Sequence, residues 1–293
     1  MKSIGKVRRT AVSCALVTIG ALVAALGIAT PSFAEDSGFW YGADSGGPGP
    51  ANGSAPYTMP SCGSGHAYGG YIGKIGGADL VSASNPAGYD PGVTGAWNAT
   101  YAADANDNHF NHNEGVGTGG YWFLYGPGDT RGTGDSPYNW GKQQANWAIT
   151  DWQRWYDDGT HRMPLRILWG DVDSTTLYGW GTGNTENNRL VFNGFFDTVA
   201  ASTTNKEPGV YATADTWNTV MGTHNSIPNT WEWTAQTSLE NHPSPCPTSF
   251  TGNGHSAVFF GGQTAGSAHA AVWQWSIGNA DYDQIDSNKN LPD

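Results

Sequence analysis

Asp171-Val172-Asp173 is the pair of acids in this 293-residue chain whose spacing carries the most chemistry. It follows Ile167-Leu168-Trp169-Gly170, an apolar run of strand type. Residues i and i+2 of a strand point to one face with their Cα atoms about 6.5–7 Å apart, so both carboxylates would enter one cleft. Repulsion between them favours one protonated acid beside one ionised base near neutral pH. Cleavage of a glycosidic bond requires that pairing. The same four residues, Asp171 to Ser174, also suit a turn or a helix-capping loop. Two further acids end apolar segments: Asp44 after Phe39-Trp-Tyr-Gly-Ala43, and Asp286 in the last segment. Glu232 lies between Trp231 and Trp233, and strand alternation puts it on the face opposite those tryptophans.

Other chemistries are poorly served. The histidines are scattered, and His109-Phe-Asn-His112 reads as a surface loop. Asp104, Asn106 and Asn108 match the start of a calcium loop, but the turn glycine and closing glutamate are misplaced, which favours a solvated loop. No metal site and no cofactor are expected. Of three cysteines, Cys14 falls in an N-terminal leader, leaving Cys62 and Cys246. Two cysteines this far apart give too few ligands for zinc. In an oxidising compartment they read as one disulfide.

The leader is residues 1–34: Lys2, Lys6, Arg8 and Arg9, then an apolar run from Ala11 to Ala29, then Ser32-Phe33-Ala34 at the cleavage position. This pattern is that of a secretory signal peptide. Its removal leaves 259 residues with 9 Lys and Arg against 25 acids, a formal net charge of −16. Clustered basic residues are what nucleic acid and anionic lipid demand, so neither is an expected partner. The mature chain is expected to be secreted, free of the membrane and monomeric.

These acids must be positioned by elements that the periodicity outlines. Eight short apolar runs read as strands: 39–43, 68–75, 121–125, 165–169, 210–212, 231–235, 257–260 and 270–275. Between them, Asn139 to Tyr156 and Glu186 to Ala200 carry apolar residues at helical spacing. Strands alternating with helices predict a mostly parallel sheet with right-handed crossovers. Eight strands in about 250 residues suit an α/β barrel of TIM type, with active groups at the carboxyl ends of its strands. Helical pattern weakens after Val210, so the outer helix ring is expected to be incomplete in the second half. Residues 35–293 read as one domain, with stretches such as Gly46 to Ser64 as long loops. Tyr125 and Trp180, in loops after the third and fourth strands, and Trp233 and Trp273, on strands, are candidates for stacking on sugar rings. The tryptophans of the first helical segment read as packing between helix and barrel.

The order of segments resembles glycoside hydrolase family 25, the N-acetylmuramidases. The resemblance runs from Tyr41-Gly-Ala-Asp44-Ser45 through Tyr71-Ile-Gly-Lys74, Gly120-Tyr-Trp-Phe123 and Leu168-Trp-Gly-Asp171-Val-Asp173. It continues with Gly209-Val-Tyr-Ala-Thr213, Trp233-Thr-Ala-Gln236, Val272-Trp-Gln-Trp-Ser276 and Ile285-Asp286-Ser-Asn288. It implies a barrel with fewer helices in its second half and cofactor-free cleavage of β-1,4 bonds in peptidoglycan. It also implies a site built from Asp44, Asp171, Asp173 and Asp286. The family motif reads Asp-x-Glu where this chain has Asp171-Val-Asp173, and losing one methylene retracts the carboxyl by about 1.5 Å, one carbon–carbon bond. A catalytically weak or silent barrel that binds cell-wall glycan or another surface polysaccharide is the alternative. Non-reducing peptide mapping of the exported protein is expected to recover Cys62 and Cys246 in one linked fragment, and two free thiols would contradict the pairing.

Overall fold

The computed structural model describes residues 39–45, 68–77, 117–129, 132, 134–155, 166–172, 178–202, 207–222, 230–235, 271–277 and 280–286. Their eight strands are β1 (Phe39–Ser45), β2 (Tyr68–Gly77), β3 (Gly117–Phe123), β4 (Ile167–Asp171), β5 (Glu207–Thr213), β6 (Trp231–Ala235), β7 (Val272–Ile277) and β8 (Ala280–Asp286). They pair in chain order and close into a barrel. Strands β1 to β7 are parallel to their neighbours, whereas β8 runs antiparallel to both β7 and β1. The architecture is therefore an α/β barrel-like fold with one reversed strand.

The reversal has a local cause. Only Gly278 and Asn279 separate Ile277 from Ala280, the pair that closes the β7–β8 ladder. Two residues can join antiparallel strands as a hairpin, but a parallel crossover needs about a dozen. The last strand is thus Ala280–Asp286, a segment that the apolar-run reading does not include. The run 257–260 lies outside the described residues, as do Cys62 and Cys246.

Three described helices cover the outside. Helix α1 (Pro137–Trp155) starts where Ser136 precedes Pro137: the serine Oγ accepts from the Asn139 amide at 3.3 Å, and proline suits the first helical turn. Helix α2 (Thr185–Ala200) is capped by Asn184, whose side chain accepts from the Asn187 amide, and it buries Val191, Phe192, Phe195, Phe196 and Val199. Helix α3 (Ala214–Met221) is capped by Thr213. Phe192 of α2 meets Trp217 of α3 edge to face, with ring centroids 5.2 Å apart. Asn188 and Arg189 of α2 donate to the Val220 and Met221 carbonyls at 2.8 and 2.7 Å, satisfying groups that the end of α3 leaves open.

Helices α1 and α2 touch backbone to backbone. A Cβ on Gly141 would strike the Val191 carbonyl, and one on Gly194 would strike the Tyr138 carbonyl. Tyr138 Oη also donates to Asp197 Oδ2 across the pair at 3.0 Å. Gly194→Ala is expected to force the helices apart and cost about 1–3 kcal/mol. Thermal unfolding should show it as a melting point lowered by about 2–4 °C for each kcal/mol lost.

Candidate active site

Side chains alternate in and out along each strand, and ring contacts identify the inner face. Trp233 of β6 stands at the centre of the barrel, with ring centroids 4.5 Å from Tyr211 of β5, 5.6 Å from Trp169 of β4 and 5.9 Å from Tyr121 of β3. Gly209, one pleat before Tyr211, leaves room for the Trp169 indole, which a Cβ there would strike. Four large rings thus fill the interior from adjacent strands.

Polar groups surround this aromatic cluster. The Trp233 indole Nε1 donates to Asp283 Oδ1 of β8 at 2.9 Å. Tyr211 Oη donates to Gln274 Oε1 of β7 at 2.5 Å, and Gln274 Nε2 donates to Asp44 Oδ2 of β1 at 2.5 Å. Asp171 lies one pleat beyond Trp169 at the carboxyl end of β4, so it shares the interior face. The Lys74 ammonium lies 5.0 Å from the Phe123 ring centroid and 5.7 Å from that of Tyr121. Lys74 stands opposite Tyr121 in regular register, and the pairing shifts just beyond it, where Gly76 meets Trp122. Bulges of this kind re-aim side chains near functional sites. Asp44, Lys74, Asp171, Gln274 and Asp283 are all nearly or fully buried. Buried carboxylates with one buried cation form an environment in which proton donors and acceptors can be held apart.

Of the acids expected from the sequence, Asp44 and Asp171 both face the interior at the carboxyl ends of their strands, β1 and β4. Asp173 lies just beyond Val172, outside the described residues. Asp286 is not brought to them. Because β8 is antiparallel, Asp286 pairs with Phe39 at the opposite end of β1, and Asp281 is the residue in register with Asp44. Five residues of strand separate those positions by about 16 Å. Asp283, on the inner face at 0% exposure, is the β8 acid whose carboxylate joins the interior network.

The aromatic candidates divide similarly. Trp233 is part of the interior cluster, whereas Trp273 alternates with inward-facing Gln274 and so lies on the outer face, buried. Tyr125 and Trp180 are both 0% exposed and cannot present a face to a sugar. The loops carrying them are stitched together by the Gly126 and Gly128 amides, which donate to the Tyr178 and Gly179 carbonyls. Tyr125 Oη donates to the Gly77 carbonyl at 3.0 Å, and Trp180 Nε1 donates to the Leu124 carbonyl at 3.2 Å. Glu232 is buried on the face opposite Trp233. Trp140 and Trp152 of α1 pack between helix and barrel: the Trp140 indole donates to the Gly126 carbonyl, and Trp152 lies against Gly120 of β3.

Sequence reasoning assigned no role to Lys74, Tyr211, Gln274 or Asp283. Alternation within Val272-Trp-Gln-Trp would separate Gln274 from its tryptophan neighbours, but choosing the inward face needs the closed sheet. Among the described residues, no three His, Cys, Asp or Glu side chains are grouped as metal ligands. No described helix is long and apolar enough to cross a membrane.

No protein-family profile matches the chain, and no curated protein matches it in sequence. Solved structures do. The spore cortex lytic enzyme SleM of Clostridium perfringens aligns with a TM-score of 0.52 at 12% identity, over 87% of this chain and 69% of that one. A family GH25 lysozyme from Aspergillus fumigatus aligns with a TM-score of 0.50 at 15% identity, over 87% of this chain and 99% of that one. At such identities the likeness is one of fold, and the chain has a fold like that of the GH25 lysozymes.

Tyr125→Phe and Trp180→Phe, which each remove a buried donor, are expected to cost about 1–3 kcal/mol of stability. Neither should change affinity for soluble glycan fragments. Thermal unfolding and titration calorimetry check the two halves, and lost glycan binding in folded variants would return these rings to the site.

Proposed function

We propose that this protein is a secreted, muramidase-type glycoside hydrolase that cleaves β-1,4 bonds of peptidoglycan glycan strands by carboxylate acid/base catalysis. The observation that carries the reading is the placement of Asp44 and Asp171 on the inner face at the carboxyl ends of their strands, with Gln274 bonded to Asp44 and to Tyr211, the residue in register with Asp171. The fold shared with a GH25 lysozyme and a spore cortex lytic enzyme supports it. Within this reading the barrel departs from the TIM type in its reversed eighth strand, its outer helix ring is incomplete, and the enzyme works as a cofactor-free monomer.

Cleavage begins when a carboxylic acid gives its proton to the leaving glycosidic oxygen, and positive charge develops on the sugar ring. Asp173 is assigned the proton transfer. Asp171, two residues earlier, is its electrostatic partner. Asp44 faces the developing charge and orients the sugar. Asp283 takes the place first given to Asp286 as the β8 acid, holding the Trp233 indole at the centre of the barrel. The formal charge of −16 on the mature chain disfavours polyanions and tolerates neutral glycan.

A glycan-binding protein that does not cut is the second reading. The observation in its favour is Asp173, one methylene shorter than the glutamate of the family motif; a misplacement of about 1 Å can cost about a hundredfold in rate.

Release of reducing ends from purified cell wall tests the proposal. Asp44→Asn and Asp171→Asn, which remove electrostatic stabilisation, are expected to lower turnover by about 10²–10³-fold. Asp286→Asn, at the other end of β8, should leave it unchanged. Asp173→Glu is expected to raise activity and Asp173→Asn to abolish it. Silence in the native protein and in Asp173→Glu, with glycan binding retained, would establish the binding reading instead.

A further inference from the structure

The Gln274 amide is held between two side chains from strands that are not its neighbours in sequence. Tyr211 Oη lies 2.5 Å from its Oε1, and Asp44 Oδ2 lies 2.5 Å from its Nε2. All three residues are more than nine-tenths buried. An amide has two distinct ends: its NH₂ only donates and its carbonyl only accepts. An ionised carboxylate only accepts, so the end that faces Asp44 must be the NH₂. The carbonyl then faces Tyr211, which must donate. Each orientation enforces the next.

We propose that Gln274 is a positioning residue that holds Asp44 as an ionised, oriented hydrogen-bond acceptor, with Tyr211 as the anchor that sets the direction of the amide. The relay spans β5, β7 and β1 and fixes an acid on one strand through a phenol on another. Protonating Asp44 Oδ2 would turn it into a donor aimed at an NH₂ group. The amide would then have to rotate, and Tyr211 would have to accept rather than donate. Protonation at Oδ2 is therefore opposed by both hydrogen bonds, and a proton on Oδ1 still weakens the bond from Gln274, because a neutral acid accepts less strongly than a carboxylate. With its proton committed to Gln274, Tyr211 Oη has only lone pairs for any further partner, such as a hydroxyl or amide N–H of a glycan. The catalytic role of Asp44 rests on the hydrolase reading; the relay itself does not.

Other charges also act on Asp44. Lys74 from β2, which favours its ionised form, faces the same interior, and Asp171 from β4 and Asp283 from β8, which oppose it, do too. Tyr211 faces it through the amide, and Asp281 of β8 stands in register with it. Lys74, Asp171, Asp283 and Asp281 are kept when Gln274 alone is replaced, so a difference between native and variant protein isolates the relay of Gln274 and Tyr211.

The test is the titration of the Asp44 carboxyl carbon by NMR, with the resonance assigned from its loss in Asp44→Asn. Gln274→Met removes the donor at nearly constant volume and is expected to raise the Asp44 midpoint by about one pH unit, the scale of one hydrogen bond to a charged group. Gln274→Glu keeps an acceptor for Tyr211 but replaces the donor to Asp44 with a second carboxylate, and should raise it at least as far. Tyr211→Phe leaves the Nε2 donor and removes its anchor, so a smaller rise is expected. An unmoved midpoint in folded Gln274→Met overturns the proposal. If that variant does not fold, an unmoved midpoint in Tyr211→Phe overturns it equally. In a native protein that releases reducing ends, the acid limb of kcat/KM should move with the midpoint. Absence of that activity would refute the hydrolase reading while leaving the carbon titration to decide the relay.

Discussion

The barrel depends on β8 pairing along both of its edges. Seven parallel strands in sequence order leave β1 and β7 with one unpaired edge each, and an open edge costs hydrogen bonds and invites association with other chains. Strand β8 fills the gap by running backwards, with six registered pairs to β1 and six to β7. A two-residue connection is too short to do anything else. The same reversal decides which acids meet, because it carries the start of β8 to the carboxyl end of β1 and its finish to the opposite end.

Closure creates an interior that side chains must fill, and this chain fills it with rings. Trp233, Trp169, Tyr121 and Tyr211 contribute area that aliphatic residues of four short strands would not match. Each Trp or Tyr also brings a polar atom inside, where an unmet donor costs about 1–3 kcal/mol. Asp283 meets the indole of Trp233, and Gln274 meets the phenol of Tyr211. The aromatic core and the polar site are in this sense one construction: the groups that satisfy buried rings stand beside the acids. Lys74 joins from β2, its ammonium over the Phe123 and Tyr121 rings at 5.0 and 5.7 Å.

Much of the scaffold is legible in the sequence because it follows from local rules. Short apolar runs mark β1 to β7, helical spacing marks α1 and α2, and the Ser136-Pro137 and Asn184 starts are ordinary capping chemistry. Asp44 and Asp171 can be placed at strand ends from apolar runs alone. Strand β8 is not legible in that way: Asp-Tyr-Asp-Gln-Ile-Asp alternates charge with bulk, and only pairing on both sides makes it a strand. Helix α3 is only eight residues long and takes its stability from Trp217 against Phe192 and from the capping groups of α2.

Which residues can carry the chemistry follows from residue type, which fixes acids, amides and rings, and from the pleat of a strand, which fixes their alternation. Which of them share a face is set by closure of the sheet. Asp44 and Gln274 are 230 positions apart, and their hydrogen bond exists because β1 and β7 both border β8 in a closed sheet. Asp286 and Asp283 are three positions apart, yet the antiparallel register pairs Asp286 with Phe39 at the start of β1 and Asp283 with Gly42 farther along it. Tyr125 and Trp180 have the right chemistry for sugar stacking, but two loops that hydrogen-bond to each other bury them. Direction, parity and burial are properties of the closed sheet and its packed loops, and no local stretch of chain contains them.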